Sequence, residues 1–186
     1  MSTNRVDLST LRMLVADDNA HMRRIIRSLL HGFGVREVAE AEDGASALET
    51  FNSHNPDIVI TDWAMPIIDG LELTRLIRNP GSQSNPYVPI IILTGHAERR
   101  RVIEARDAGV SEFLAKPISA KSLYGRLIAT VVNPRPFVRT KTYFGPDRRR
   151  YDNPNYKGPE RRSGAPPREP HDTMEIDDAT IPENWG

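Results

Sequence analysis

The chain of 186 residues contains no cysteine, so neither a disulfide framework nor a thiolate metal site is possible. It also lacks any run of about 18 apolar residues, the length that a membrane-spanning helix requires. The first ten residues, MSTNRVDLST, have no apolar core of the kind found in signal peptides. These absences argue against a disulfide-stapled secreted domain and favour a soluble, cytoplasmic protein without a membrane span.

The net charge of the whole chain is zero, but the charges are divided unevenly along it. Residues 1–133 hold 15 Lys and Arg against 16 Asp and Glu, residues 134–162 hold 9 against 3, and residues 163–186 hold 1 against 6. Proline is sparse before residue 133 and dense after it. We therefore predict a compact domain over residues 10–132, a basic Pro- and Arg-rich tail over 133–162, and an acidic tail over 163–186.

Within residues 10–132, short apolar runs alternate with segments of helical periodicity. The predicted strands are 12–16, 35–41, 57–61, 88–93 and 111–115, and the predicted helices are 21–34, 44–54, 70–79, 97–109 and 119–132. Strands joined through helices must run parallel, and three of these strands are apolar on both faces, as central strands are. The sequence therefore predicts a doubly wound α/β sheet of five parallel strands, which binds its ligands beyond the carboxyl ends of the strands.

Polar side chains follow the predicted strands at that ligand-binding edge. Asp17 and Asp18 follow the first strand, Asp62 the third, Thr94 the fourth and Lys116 the fifth. Three neighbouring carboxylates repel one another by on the order of several kcal/mol, so they require a cation, and an all-oxygen ligand set favours Mg²⁺. Lys116 and Thr94 are suited to holding phosphoryl oxygens. The cluster is therefore typical of a site where a carboxylate oxygen attacks phosphorus.

Each of these residues, taken alone, also has an ordinary structural explanation. An aspartate at a strand end is often the N-cap of the following helix, and this alternative stays open for Asp17. Thr94 could be structural, and Lys116 could be a solvated surface lysine. The order and spacing of the whole set favour the functional interpretation.

Four stretches resemble the receiver domain of bacterial two-component response regulators, especially the stand-alone chemotaxis type. They are VADDNAHMRRIIRSLL, TDWAMPIIDGLELTRLIR, IIILTGHA and EFLAKP, and the resemblance covers residues 10–132. It implies a flavodoxin-like fold with strand order 2-1-3-4-5. It also implies a phosphorelay signalling protein that is not a conventional enzyme, since only self-phosphorylation and its hydrolysis are expected.

Applied to this sequence, the resemblance assigns the acids their roles. Asp62 would be the phosphoacceptor and would receive its phosphoryl group from a histidine kinase or a phosphotransfer protein. Asp18 and Asp62 would bind Mg²⁺ directly, Asp17 would act mainly through bound water, and the backbone carbonyl of Ala64 would complete the protein ligands.

The resemblance also implies how phosphorylation would be sensed. Lys116 would pair with the phosphoryl oxygens, and a cis peptide bond to Pro117 would aim it inward. Thr94 would move to hydrogen-bond the phosphoryl group on Asp62, and Phe113 would swing into the space left behind. The surface of the fourth helix, fifth strand and fifth helix would change as a result, and with it the contact to an unidentified output protein.

The tail contains a short repeat, YFGPDRR at 143–149 and YKGPERR at 156–162. Three interpretations stay open: a disordered linker, a docking peptide for a partner protein, and a basic patch for an anionic surface. The acidic end could fold back on the basic block. The tail has too little periodic apolar sequence for a second core or a helix-turn-helix, so DNA binding is not expected.

Two functions from different classes fit this sequence. The first is a single-domain response regulator that signals through phosphorylation-dependent protein–protein contacts. The second is a constitutive scaffold on a receiver fold, whose basic tail engages a partner or an anionic surface. The intact set of Asp18, Asp62, Thr94 and Lys116 favours the first.

Overall fold

The computed structural model describes residues 6–79, 81, 84–95 and 98–148. The strands of its main sheet are β1 (Arg12–Ala16), β2 (Glu37–Ala41), β3 (Ile58–Asp62), β4 (Ile90–Thr94) and β5 (Glu112–Ala115). The helices are α1 (Ala20–Gly32), α2 (Gly44–His54), α3 (Gly70–Arg78), α4 (Arg99–Ala108) and α5 (Ala120–Val132). All five strands run parallel in the order β2-β1-β3-β4-β5, so the predicted flavodoxin-like fold is confirmed.

The core lies on both faces of the sheet, because successive residues of a strand point to opposite sides. Val15 of β1 packs with Ile26 of α1 and Leu127 of α5. Its neighbour Leu14 packs on the other face with Phe51 of α2. A central strand covered by helices on both sides needs apolar side chains throughout, which explains the continuous apolar runs in the sequence.

The register of the sheet brings the polar strand ends to one edge. Asp62 at the end of β3 lies beside Leu93, and Thr94 at the end of β4 lies beside Ala115. Asp17 directly follows β1. In the described part of the chain, no helix is both long and apolar enough to cross a lipid bilayer.

An antiparallel hairpin follows α5, and the sequence pattern does not predict it. It consists of β6 (Phe137–Arg139) and β7 (Phe144–Pro146), within the segment that the sequence analysis places in the basic tail. Packed structure therefore continues beyond residue 132. The second copy of the repeat, at 156–162, and the acidic tail lie outside the described residues.

Aromatic rings hold the hairpin against the loop that precedes β4. The ring centroids of Tyr87, Phe137 and Phe144 lie 5.2 to 5.6 Å apart. The guanidinium of Arg78, buried at the end of α3, lies 5.0 Å from the centroid of Phe137 and donates a hydrogen bond to the carbonyl oxygen of Gly109. These contacts join residues that are distant in sequence, so local periodicity could not indicate them.

Replacing Phe137 with alanine tests how much this packing contributes. We expect a loss of about 2 kcal/mol in the free energy of unfolding, because Phe137 is half-buried and a fully buried Phe→Ala change costs roughly 3–5 kcal/mol. Urea denaturation followed by circular dichroism measures it. Val132→Ala, at an exposed position just before the hairpin, is the control and should change stability by under about 0.5 kcal/mol. Equal losses in both variants would contradict the prediction.

Candidate functional site

Three carboxylates gather at the carboxyl edge of the sheet. Asp17 and Asp18 follow β1, Asp62 ends β3, and each offers a carboxylate oxygen within 4.8 Å of the others. Asp17 is fully buried, Asp62 is nearly so, and Asp18 is exposed. The structure therefore brings together the three acids that the sequence singles out and exposes one of them to solvent.

The ammonium group of Lys116 pairs with two of these acids. Its Nζ lies 2.9 Å from Oδ1 of Asp62 and 3.1 Å from Oδ2 of Asp17. Lys116 follows β5, and its peptide bond to Pro117 is cis. Because the lysine supplies one positive charge for three carboxylates, the cluster keeps an excess of negative charge that a divalent cation would balance.

For both Asp62 and Lys116, burial and the charge of the other group shift the pKa in opposite directions. Burial raises the pKa of Asp62, and the hydrogen bond and charge of Lys116 offset only part of this effect. Burial lowers the pKa of Lys116, but the hydrogen bonds and the charges of Asp62 and Asp17 together raise that pKa by more, leaving it above the ordinary value. The lysine therefore stays charged, whereas the Asp62 carboxylate would be stabilised by further positive charge.

Both carboxylate oxygens of Asp17 accept hydrogen bonds. Oδ1 accepts a hydrogen bond from the backbone N–H of Asn19 at 2.9 Å, and Oδ2 accepts one from Lys116. Asn19 is the N-cap of α1, accepting from the N–H groups of His21 and Met22. The N-cap of α1 is therefore Asn19, and not Asp17 as the structural alternative for Asp17 supposed. The preference for asparagine at N-caps could have identified Asn19 from the letters DDNAH.

The loop that follows Asp62 is kept close to the end of β3. The N–H of Gly70, the first residue of α3, donates to the carbonyl oxygen of Trp63 at 2.9 Å. A Cβ at Gly70 would overlap the carbonyl oxygen of Asp62, so only glycine lets α3 begin here. Ala64 lies in this loop and is exposed; the role of its carbonyl group as a metal ligand stays a prediction.

Thr94 lies between the strand that ends at Asp62 and the strand that Lys116 follows. It ends β4, its side chain is buried, and its backbone carbonyl accepts the N–H of Lys116 at 2.7 Å. β4 is flanked by β3, with Asp62 at its end, and by β5. The sequence places Thr94 at this edge correctly, and its movement on phosphorylation stays a prediction.

Trp63 connects the site with α4. It packs in an apolar cluster with Ile92 of β4 and with residues of α4, and Phe113 of β5 packs against the same cluster. The guanidinium of Arg101, on α4, lies 4.9 Å from the centroid of the Trp63 ring. A continuous set of packed side chains thus joins the residue next to Asp62 with Phe113. The sequence analysis does not single out Arg101, since only the packing of α4 brings it to the ring.

Comparisons with known proteins agree with this geometry. A family profile described as "Response regulator receiver domain" matches residues 13–128. The chain is 39% identical over 113 residues to the chemotaxis protein CheY of Pseudomonas aeruginosa, an alignment that covers 61% of this chain and 90% of that protein. The profile match includes the acidic cluster and the strands from Met13 onward, and it ends at residue 128.

Solved structures show the same fold. The chemotaxis response regulator CheY4 of Vibrio cholerae is 27% identical, with a TM-score of 0.58, and the match covers 63% of this chain and 95% of that one. The receiver domain of the sensor histidine kinase PA1611 of Pseudomonas aeruginosa is 30% identical, with a TM-score of 0.59, over 66% of this chain and 98% of that one. That structure has a magnesium ion coordinated in its active-site cleft.

Replacing Lys116 with methionine tests how its charge stabilises the cluster. Two buried carboxylates lose their partner, so we expect the free energy of unfolding without Mg²⁺ to fall by about 3 kcal/mol at about pH 8. The pKa of Lys116 in the folded state lies above its ordinary value of 10.5. The stabilisation of the fold by the charged form of Lys116 is therefore complete below pH 10.5. It is lost as the pH rises through the pKa of Lys116 in the folded state.

Urea unfolding of the wild type and the variant at about pH 8 and about pH 11.5 measures this difference. Lys121→Met, an exposed lysine on α5, is the matched control and should show little difference at either pH. If the difference in the free energy of unfolding between the wild type and Lys116→Met were as large at the higher pH, the charge of Lys116 would not be what stabilises the cluster.

Proposed function

The chain belongs to the response regulator receiver domain family, and from this premise we propose that it is a single-domain response regulator phosphorylated on Asp62. Receiver domains of the CheY type interact with histidine kinases or phosphotransfer proteins and act in signalling rather than as conventional enzymes. In our proposal such a partner supplies the phosphoryl group. The phosphorylated state then changes the contact with an output protein.

The observation that carries this proposal is the excess negative charge around Asp62. Three carboxylates have oxygens within 4.8 Å of one another, and the ammonium of Lys116 pairs with two of them, Asp17 and Asp62. Oxygen ligands in this arrangement suit Mg²⁺. In the proposal Asp18 and Asp62 are direct ligands, Asp17 acts mainly through water, and the carbonyl group of Ala64 completes the protein ligands. When bound, Mg²⁺ supplies positive charge beside the phosphoryl oxygens.

The residues of this chain position the nucleophile and receive the new charge. A carboxylate oxygen of Asp62 attacks the phosphorus atom, a P–O bond forms, and the P–N bond to the histidine of the donor breaks. Burial removes water from the carboxylate. Lys116, whose Nζ already lies 2.9 Å from Oδ1, remains beside the phosphoryl oxygens and stabilises their charge.

The response to phosphorylation is transmitted through Thr94 and Phe113 in this proposal. The buried hydroxyl of Thr94 moves toward the phosphoryl group and leaves space behind it. Phe113 is half-buried and packs against the cluster that contains Trp63, so a change there alters the surface formed by α4, β5 and α5. Such a change is a population shift between two states, biased by a local change of charge.

Phosphorylation can be tested with a small phosphodonor. Incubation with acetyl phosphate and Mg²⁺ should raise the mass of the intact protein by one phosphoryl group, measured by mass spectrometry. Asp62→Asn lacks the nucleophilic oxygen and should gain no mass. Glu49→Gln, which removes an exposed carboxylate on α2, should be labelled like the wild type. A wild-type protein that stays unmodified would favour the constitutive scaffold instead.

Magnesium binding can be measured separately from phosphorylation. In a Trp185→Phe background Trp63 is the single tryptophan, and its position next to Asp62 should make its fluorescence respond to Mg²⁺. We expect Asp18→Asn to weaken Mg²⁺ binding about tenfold or more, which corresponds to about 1.4 kcal/mol. Glu49→Gln again serves as the control. An unchanged dissociation constant in Asp18→Asn would remove Asp18 from the ligand set.

A further inference from the structure

The first copy of the tail repeat, beginning at residue 143, is held in shape by its own side chains. The Tyr143 hydroxyl donates a hydrogen bond to the carbonyl oxygen of Pro146 at 2.7 Å. The guanidinium of Arg148 lies 3.8 Å from the centroid of the Tyr143 ring. The tyrosine, the proline and the first arginine of the repeat therefore contact one another, and their spacing in the sequence has a structural reason.

The glycine of the repeat is required by close contact with the receiver domain. A Cβ at Gly145 would lie 2.7 Å from the hydroxyl oxygen of Tyr143 and 3.0 Å from the Cα of Gly109. Gly109 is the C-cap of α4, with a φ of 97°. The two backbones thus meet at a pair of glycines, and a side chain at position 145 would push the repeat away from the domain.

We define the hairpin site as the surface formed by Tyr87, Asp107 and Gly109, on which this first copy lies. Arg148 pairs with Asp107 at 3.4 Å, and the ring of Phe144 lies 5.2 Å from that of Tyr87. The site is formed by the loop before β4 and by the C-terminal end of α4, so it is separate from the carboxylate cluster at the carboxyl edge of the sheet.

We propose that the hairpin site is a binding site for the Tyr-x-Gly-Pro-acid-Arg motif, and that the second copy at residues 156–162 is its alternative occupant. The second copy has a tyrosine, a glycine, a proline, an acid and an arginine at the same spacing: Tyr156, Gly158, Pro159, Glu160 and Arg161. It therefore has the groups that make the internal contacts of the motif, the glycine contact and the pairing with Asp107. It differs at two positions, since Lys157 replaces Phe144 and Glu160 replaces the buried Asp147.

The replacement of Phe144 by Lys157 decides which copy is bound in the unmodified chain. The ring of Phe144 contacts Tyr87 and Phe137, and the guanidinium of Arg139 lies 5.5 Å from its centroid. Lys157 has no ring to offer and would place a second positive charge beside Arg139. Binding the second copy requires a longer loop after β6. This costs little additional entropy, because the entropy of loop closure grows only with the logarithm of loop length. The first copy is therefore bound, and the second replaces it when the first is released.

Hydrogen exchange of the full-length protein, read by mass spectrometry, tests this proposal. In the first copy the N–H of Asp147 donates to the carbonyl oxygen of Pro136, so residues 143–147 should exchange slowly in the wild type and residues 156–160 rapidly. In Gly145→Ala the slow exchange should move to 156–160. In the double variant Gly145→Ala, Gly158→Ala neither segment should be protected. Gly164→Ala, outside both copies, is the control and should match the wild type.

A second variant leaves the first copy intact. Lys157→Phe gives the second copy the ring that distinguishes the first, so residues 156–160 should gain protection and 143–147 should lose part of theirs. Lys157→Ser removes the charge without adding a ring and should produce a much smaller gain. Peptides from β3 and β4 in the same spectra report whether the receiver domain is folded. Rapid exchange of 156–160 in both Gly145→Ala and Lys157→Phe, with β3 and β4 protected, would overturn the proposal.

Discussion

The sharing of one ammonium group by buried carboxylates is the interaction on which the functional site depends. Asp17 and Asp62 both accept hydrogen bonds from Lys116. These three residues lie at the ends of three separate strands that are far apart in sequence. Such a cluster is unfavourable without added positive charge. The two packed faces of the sheet supply the apolar burial that stabilises the fold, while the carboxylate cluster lies at the edge of the sheet.

Helix α4 contacts both Trp63, beside the carboxylate cluster, and the first repeat copy at the hairpin site. Arg101, near its N-terminal end, lies over the Trp63 ring beside the carboxylates. Asp107, near its C-terminal end, pairs with Arg148 of the first repeat copy. Between them the helix packs against the cluster that Phe113 also contacts. A displacement of this one helix would therefore change contacts beside the carboxylate cluster and at the hairpin site.

Local sequence was sufficient for the strands and helices within residues 10–132 and for the residues at the strand ends. Short apolar runs and the helical period of 3.6 residues located these strands and helices, with ends at most two residues from those of the structure. Asp62 and Lys116 could be placed at the same edge, because parallel strands joined through helices present their carboxyl ends together. The roles of Thr94 and Phe113 rest on resemblance, since no local pattern states how a side chain will move.

The sequence by itself determined the order of strands and helices, the apolar core and the acids that follow β1 and β3, because these depend on the spacing of neighbouring residues. Only the tertiary structure decided that residues 137–146 form a hairpin against Arg78 and Tyr87. The physical reason is that the hairpin depends on contacts between segments that are distant in sequence, and such contacts exist only once the chain has folded.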